Sequence, residues 1–380
     1  MIIQSKRVWL QEQWASVQIE ILDQRIERIL AYNKEPVDVD YGSLRIYPGF
    51  MDTHLHGVKG VDATDANADT LMEIAKELPK EGITGFCLTT VTQSEAVLMK
   101  ALRECALAIK NQSEGSQMLG IHFEGPYLNK IYKGAQPEPY IVDADLEQFK
   151  RYQAAAEGNI KIITMAPEKD KDFTLTRYCA QNGVCVNMGH SDSTYETALL
   201  ASANGAKSMT HTFNAMSPLH HRKPGLVGAT MRLSNVYAEV IGDGNHVSWP
   251  AVNILAKTKG KDHLVLVSDS LCAKGMPEGE FELGGQILDI HANGGAYLHH
   301  TETLAGSTMV YNHGLRNLIQ KAELQEVIAI NACTINPAKI LQLDHRKGLI
   351  KTAYDADITI LDDNYDVVST MILGKVVYNR

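Results

Sequence analysis

The chain has 380 residues, of which 44% are apolar and 21% charged, and its formal net charge is −9. This composition is typical of a globular protein and argues against a disordered or fibrous one. The acidic balance also argues against a protein that binds nucleic acid or membrane surfaces, because both need a net basic face. We therefore expect no nucleic-acid partner and no membrane partner.

The six cysteines show no C-x-x-C spacing, so they predict reduced thiols rather than a zinc knuckle or a redox pair. The first residues, MIIQSKRVWLQEQW, lack the apolar stretch and the small-residue cleavage site of a signal peptide. No apolar run approaches the roughly 18 residues of a membrane span. These features predict a cytoplasmic protein.

In chain order, residues 1–47 carry alternating, β-branched segments such as WASVQIEIL and RIERILAY, which predict short antiparallel strands. From about residue 49, compact apolar runs alternate with stretches of helical periodicity such as TLMEIAKEL, which indicates parallel strands joined by crossover helices. The apolar runs are YPGFMDTHLH, ITGFCLTT, MLGIHFEG, IKIITMAP, VCVNMGH, SMTHTF, YAEVIGDG and HLVLVSD. Eight such repeats predict a closed barrel rather than an open doubly wound sheet.

After the eighth run, STMVYNHGLRNLIQKA and QEVIAINACTINPAKILQL predict helices, and strand patterns return from residue 348 in GLIKTAYDADITILDD and VVSTMILGKVVYN. We predict an α/β protein with a (β/α)8 TIM-like barrel, residues 49–344. Residues 1–48 plus 345–380 are predicted to form a small β-sandwich domain from the two ends of the chain. No Pro-rich linker separates the two parts, so we expect them to pack as one unit.

Polar side chains stand at the carboxyl ends of five of the eight runs, the end that carries the active site of an α/β barrel. These residues are His54, His56, Glu124, His190, His211 and Asp269. Residues two apart on a strand share a face, so the two histidines of the first run converge on one point. Four imidazoles and two carboxylates suit a zinc, iron, cobalt or manganese ion. His122 shares a face with Glu124, and we expect it to support the ligands rather than to bind the ion.

At these residues the chain resembles the amidohydrolase superfamily and, within it, the family of N-acetylglucosamine-6-phosphate deacetylases. The resemblance covers nearly the whole length. It rests on the stretches PGFMDTHLHG, HFEGPYLN followed by KGAQP, MGHSDSTYE, HTFNAMSPLHHRKPGLVGA, IGDGNHV, LVSDS and LAGSTM, in the family's order and spacing.

The resemblance implies that Glu124, His190 and His211 hold the principal metal ion. Some family members lack the H-x-H pair, so the presence of His54 and His56 implies a second ion, with Glu124 as the bridge. Zinc or iron is expected, with cobalt, manganese or nickel as alternatives, and either one or two ions can serve the reaction.

The resemblance also implies that Asp269 is the catalytic residue, which takes a proton from the attacking water and passes it to the departing amine. The alternative is that Asp269 is only a metal ligand. Many relatives place a histidine where this chain has Gln136. A glutamine amide can donate a hydrogen bond but carries no positive charge, so the role of this residue is open.

Substrate recognition is predicted in the stretch NAMSPLHHRKPG, where residues 220–223 form a dense basic run in an acidic chain. The alternative is a solvated loop with no ligand. The resemblance implies one basic group lent by a neighbouring subunit, and therefore a homodimer or a dimer of dimers. The implied substrate-binding residues are Ala135, Gln136, Asn214, Ala215, Arg222, His246, Leu304, Ala305 and Gly306.

The expected reaction is metal-dependent removal of the acetyl group from N-acetylglucosamine 6-phosphate, a step of amino-sugar catabolism or cell-wall sugar recycling. One alternative is the same reaction on N-acetylgalactosamine 6-phosphate or another phosphorylated N-acyl sugar. A second alternative is nucleobase deamination or cyclic amide opening. The basic run argues against it, because a neutral ring substrate carries no negative charge for Arg222 to bind. The alternative outside enzymes is an inactive barrel that serves as a scaffold.

Overall fold

A parallel barrel forms the centre of the molecule in the computed structural model, which describes residues 1–380. The eight strands neighbour one another in chain order. Closure between the last and the first strand is made by the bridge Leu55–Ser270 and by the backbone hydrogen bond from Asp269 N to His54 O, 2.9 Å long. The strands are Phe50–Leu55, Ile83–Thr90, Gln117–Glu124, Ile160–Met165, Cys185–Met188, Ser208–Met209, Tyr237–Ile241 and Leu264–Val267. The predicted (β/α)8 barrel is confirmed.

The barrel strands are apolar along their whole length because both of their faces are covered. Every residue of Phe50–Leu55, Ile83–Thr90 and Leu264–Val267 is buried. Parallel strands with helices outside and side chains filling the barrel inside have no solvated face, so they show continuous apolar runs rather than alternation.

Helices surround the barrel, and several begin at a side-chain cap that the sequence supplies. Asn67, Ser94 and Asp145 each accept a hydrogen bond from a backbone N–H of the first helical turn. The α-helices are Ala68–Glu77, Glu95–Asn111, Leu146–Ala155, Thr174–Gln181, Tyr195–Ala203, Gly225–Arg232, Trp249–His263, Tyr311–Gln320, Glu326–Cys333 and Ile335–Ile340. Short 3₁₀ turns are Leu78–Glu81, Lys130–Tyr132, Glu138–Tyr140, Pro167–Lys169 and Lys171–Phe173. None of the helices is both long enough and apolar enough to cross a membrane.

The last predicted helical stretch, QEVIAINACTINPAKILQL, is two helices rather than one. The chain breaks at Thr334, whose φ of −128° and ψ of −85° lie outside the helical region. Pro337 explains the break, because it has no N–H to donate to the carbonyl of Cys333 and its ring would collide with that carbonyl. In the second helix it falls in the first turn, where its missing N–H costs nothing.

The two ends of the chain meet in one separate eight-stranded sheet with its own core. Arg45–Pro48 pairs antiparallel with Ile358–Leu361 and so joins the amino-terminal strands to the carboxyl-terminal ones. Buried isoleucines from both ends fill its core. The other strands are Ile2–Leu10, Gln13–Leu22, Arg25–Ala31, Val39–Asp40, Val367–Ile372 and Lys375–Asn379. The division at residues 48/49 and 344/345 stays a prediction.

A four-stranded antiparallel sheet that the sequence analysis did not predict is inserted between the eighth barrel strand and the helix Tyr311–Gln320. Its strands are Glu280–Leu283, Gln286–Ile290, Gly295–Leu298 and Leu304–Ser307. Gly306, in the last strand, has φ of +77°, and a Cβ there would lie 2.9 Å from Asp269 O. This position therefore requires glycine, which lets the strand approach the end of the eighth barrel strand. A smaller hairpin pairs Gly57–Val58 with Val61–Asp62.

Candidate active site

The structure brings all six predicted ligand residues together at the carboxyl-terminal mouth of the barrel. His54 lies in the first strand and Glu124 ends the third, while the other four follow their strands by one or two residues. All six are buried, with exposed fractions between 0% and 7%. Such burial of ionisable groups is tolerated only when they are paired or bind an ion.

Three of these side chains form a first group around one point. His190 Nε2 and His211 Nε2 lie 3.1 Å apart, and Glu124 Oε1 is 3.3 Å and 3.4 Å from them. Atoms bound at about 2.0–2.1 Å to a tetrahedral ion are themselves about 3.3 Å apart. The spacing of this group is therefore the spacing of metal ligands.

A second group shares the carboxylate of Glu124. His56 Nε2 lies 3.3 Å from Glu124 Oε2 and 3.2 Å from Asp269 Oδ1. His54 Nε2 lies 3.5 Å from Glu124 Oε1 and 3.4 Å from Asp269 Oδ1. The carboxylate of Glu124 therefore contacts both groups, so it would offer an oxygen ligand to an ion in either one.

The electrostatics of the site favour a positive charge at its centre. Burial raises the pKa of Asp269, but the charge of His54 and the hydrogen bond from His56 outweigh burial and lower it to about 2. Burial likewise opposes ionisation of Glu124, but the histidines around it hold its pKa well below the ordinary value. His54 Nε2 is buried without a hydrogen-bond partner. An unpartnered imidazole nitrogen between two ionised carboxylates fits a divalent ion with nitrogen and oxygen ligands.

Three of the six residues adopt left-handed backbone conformations. The φ angles are 48° at His190, 28° at His211 and 48° at Asp269. Non-glycine residues in this region store strain of order 1–3 kcal/mol each, and such strain clusters at functional sites. Two backbone hydrogen bonds hold the turn at Asp269: its N–H donates to His54 O, and its carbonyl oxygen accepts from Ser307 N–H.

Gln136 lies against the shared carboxylate. Its Nε2 donates to Glu124 Oε2 at 2.7 Å, and its Oε1 accepts from Thr92 N at 2.8 Å. The side chain is only 4% exposed. Gln136 thus holds Glu124 in place, a contact that the sequence analysis did not foresee.

Both hydrogen bonds of the His122 ring are made to residues outside the two ligand groups. Its Nδ1 lies 3.0 Å from Thr53 O and its Nε2 2.7 Å from Thr164 Oγ1, so both ring nitrogens are occupied. Burial and the neighbouring His54 hold its pKa well below the ordinary value. The neutral His122 ring packs edge-on against His54, with 4.4 Å between the ring centroids, and so supports the site without facing an ion.

Glu239, in the seventh barrel strand, is a site residue that the sequence analysis missed. It is fully buried, and its Oε2 lies 3.2 Å from His54 Nδ1. The sequence feature that indicates such a role is a single acidic residue inside the apolar run YAEVI, because an ionised side chain in a buried strand needs a partner.

A cavity of about 320 Å³ opens onto the two ligand groups. His246 and Asn214, which follow the seventh and sixth strands, line this cavity together with residues of the inserted sheet. The predicted substrate-binding residues found in its lining are Ala135, Gln136, Asn214, Ala215, His246, Leu304, Ala305 and Gly306. Arg222 is the exception: it is exposed and lines a neighbouring cavity with Ser193 and Lys223.

His246 is held by a carboxylate. Its Nδ1 donates to Asp243 Oδ2 at 2.7 Å, and Asp243 Oδ1 accepts from the backbone N–H groups of Asn245 and His246. Burial raises the pKa of Asp243, but the hydrogen bond with His246 outweighs burial and lowers it. The pair presents the other ring nitrogen of His246, Nε2, for a ligand.

Known proteins are similar to this chain in sequence and in architecture. An N-acetylglucosamine-6-phosphate deacetylase from Bacillus subtilis is 38% identical over 338 residues, 88% of this chain and 84% of that protein. An N-acetylgalactosamine-6-phosphate deacetylase from Escherichia coli O157:H7 is 31% identical over 378 residues, 98% of each chain. The solved structure of a mutant N-acetyl-D-glucosamine-6-phosphate deacetylase from Mycobacterium smegmatis, in complex with N-acetyl-D-glucosamine-6-phosphate, superimposes with a TM-score of 0.94. It is 29% identical and covers 100% of this chain and 99% of that one.

The amidohydrolase family model matches residues 45–377, which span the barrel, both ligand groups and the inserted sheet. Because the match covers most of the chain and agrees with the relatives above, this protein belongs to the amidohydrolase family.

Proposed function

We propose that this protein hydrolyses the acetamide of N-acetylglucosamine 6-phosphate to glucosamine 6-phosphate and acetate. The observation that carries the proposal is that one cavity joins two ligand groups for metal ions to His246 and Asn214, which suit a phosphorylated substrate. The names of the similar proteins from Bacillus subtilis and Mycobacterium smegmatis support the same substrate.

The metal ions are assigned to the two groups of ligands. Glu124, His190 and His211 would hold the first ion, and His54 and His56 the second, with Glu124 between them. Zinc or iron fits a set of imidazoles and carboxylates. Bound there, such an ion supplies Lewis acidity, which polarises the acetamide carbonyl and lowers the pKa of the attacking water.

Asp269 moves the proton. Its pKa of about 2 keeps the carboxylate ionised, so it begins the reaction able to accept a proton from the attacking water. The same carboxyl group then gives this proton to the amine nitrogen as the C–N bond breaks, and acetate leaves with the oxygen of the water. Gln136 keeps Glu124 oriented through one N–H, and its second N–H is free to donate to the acetamide oxygen.

The phosphate is assigned to His246, Asn214 and the backbone at Ala215, with the sugar between them and the inserted sheet. Arg222 lies outside this cavity in its own chain. We therefore propose that the chain forms a homodimer, or a dimer of dimers, in which Arg222 of one subunit completes the phosphate site of the other. All six cysteines are buried free thiols, which supports the proposed cytoplasmic location.

The second candidate is the same reaction on N-acetylgalactosamine 6-phosphate, favoured by the similarity to the Escherichia coli protein over nearly the whole chain. Acetate release from both epimers, measured with the metal-loaded protein, tests the two. A higher kcat/KM for the gluco epimer is expected. A higher value for the galacto epimer would replace the proposed substrate, and no release from either would refute the proposed reaction.

A further inference from the structure

Glu239 is the one fully buried acid of the barrel interior that contacts both ligand groups. Its Oε2 lies 3.2 Å from His54 Nδ1 and accepts from the backbone N–H of His211 at 3.3 Å. Its Oε1 accepts from Asn187 Nδ2 at 2.7 Å. The carboxylate thus contacts one residue of each group. Packing alone does not explain these contacts, because an apolar side chain would fill this buried strand position without the free-energy cost of burying a charge.

The contact with His54 fixes the tautomer of that imidazole. In the neutral imidazole that a metal requires, a carboxylate oxygen beside Nδ1 keeps the ring proton on Nδ1 and leaves the lone pair on Nε2, which faces Glu124 and Asp269. Nε2 is the nitrogen that has no partner within the chain. This is the orientation that a metal-binding histidine needs.

The other three imidazoles lack a carboxylate at Nδ1. Backbone carbonyls hold two of them, Thr89 O beside His56 at 3.1 Å and Tyr132 O beside His190 at 2.9 Å. His211 Nδ1 is buried without a partner. A carboxylate makes the imidazole more basic than a neutral carbonyl does, so His54 should be the strongest donor of the four.

We propose that Glu239 is a positioning residue for the metal centre: it orients His54, strengthens it as a ligand, and makes binding of the second ion depend on the seventh strand. The inference rests on the proposed assignment of His54 and His56 to a second ion. Through the backbone N–H of His211, the same carboxylate also links the turn that carries a ligand of the first ion.

The test is stepwise Co²⁺ titration of the metal-stripped protein, followed by visible absorption and by competition with a chelator. His56→Ala identifies the step that belongs to the second ion. In Glu239→Gln, which keeps the shape of the side chain but removes its charge, the affinity for the second ion should fall about 10- to 100-fold. The affinity for the first ion should change less than about threefold by the same reasoning.

Asn187→Ser is the matched control, because it removes the other hydrogen bond of Glu239 and leaves His54 in contact. It should bind both ions nearly as the unchanged protein does. If Glu239→Gln is too unstable to purify, Glu239→Asp, which keeps the charge but withdraws it from His54, should show the same selective loss of the second ion.

Unchanged binding of both ions in Glu239→Gln would overturn the inference. The inference would also be overturned if the affinities for both ions fell equally and the Tm of the metal-stripped variant fell as well, because a purely structural role would give that result. A single ion in the unchanged protein would overturn it too. Acetate release by the unchanged protein shows whether the proposed function itself holds. If the unchanged protein is active and its Glu239→Gln variant binds both ions normally, only the role of Glu239 is refuted.

Discussion

His246 Nδ1 donates a hydrogen bond of 2.7 Å to Asp243 Oδ2, and both side chains are more than nine-tenths buried. The lowered pKa of Asp243 keeps its carboxylate ionised, and this carboxylate accepts the hydrogen bond that fixes the orientation of the His246 ring. His246 is thereby held in one orientation beside the cavity to which the phosphate is assigned.

Replacing Asp243 with Asn should therefore weaken binding of the phosphate selectively. We expect KM for N-acetylglucosamine 6-phosphate to rise about tenfold, which corresponds to the ~1.5 kcal/mol of a hydrogen bond to a charged group. Steady-state kinetics with unphosphorylated N-acetylglucosamine is the control, and its KM should change less than about twofold. Equal increases for both sugars would mean that the pair has no part in phosphate recognition.

Arg222 tests the proposed dimer. Arg222→Met should raise KM for the phosphorylated sugar more than for the unphosphorylated one. Mixing this variant with Asp269→Asn should restore activity if the arginine acts across the interface, because one site of each mixed dimer then has an intact Asp269 and a partner with Arg222. No recovery in dimers that have demonstrably exchanged subunits would contradict the proposed action of Arg222 across the interface.

Asp269→Asn tests the proton transfer. The amide cannot accept the proton of the attacking water, so kcat should fall by about two to four powers of ten. Glu124, His190 and His211 are untouched, so elemental analysis should still find the first ion. A variant with full metal content and full activity would refute the proton-transfer role of Asp269.

Metal binding should release protons. In the metal-free protein, burial lowers the pKa of His56, but hydrogen bonds with Asp269 and Glu124 outweigh burial and raise it to about 10. His56 is therefore protonated at neutral pH and must lose its proton to become a ligand. Affinity for the second ion should rise with pH between about 6 and 9. Calorimetry at pH 7.5 in two buffers of different ionisation enthalpy should give different apparent enthalpies, and identical values would contradict the assignment.

The barrel and its mouth were predictable from the sequence for physical reasons. Strands buried on both faces show as continuous apolar runs, and parallel strands bring their carboxyl ends to one place, so His54 and Asp269 could be predicted to meet across 215 positions of sequence separation. The inserted sheet was missed because strands such as Glu280–Leu283 are short and half exposed, and therefore carry no strong pattern.

Contacts that depend on how the barrel closes were not predictable. Glu239 looks like an interruption of an apolar run, and only the folded barrel sets it beside His54. Likewise, the sequence suggested Gln136 as a substitute for a histidine at the substrate, whereas the structure shows its amide on Glu124. Arg222 lies near the site in sequence but lines a neighbouring cavity.

The most direct test of the central claim is acetate release from N-acetylglucosamine 6-phosphate by the protein before and after removal of its metal. The metal-loaded protein should release one acetate for each glucosamine 6-phosphate formed, with kcat/KM of about 10⁴ M⁻¹s⁻¹ or more. Chelation should abolish release, and readdition of zinc or iron should restore it. Full activity after complete metal removal, or a fully loaded protein that releases no acetate, would contradict the account.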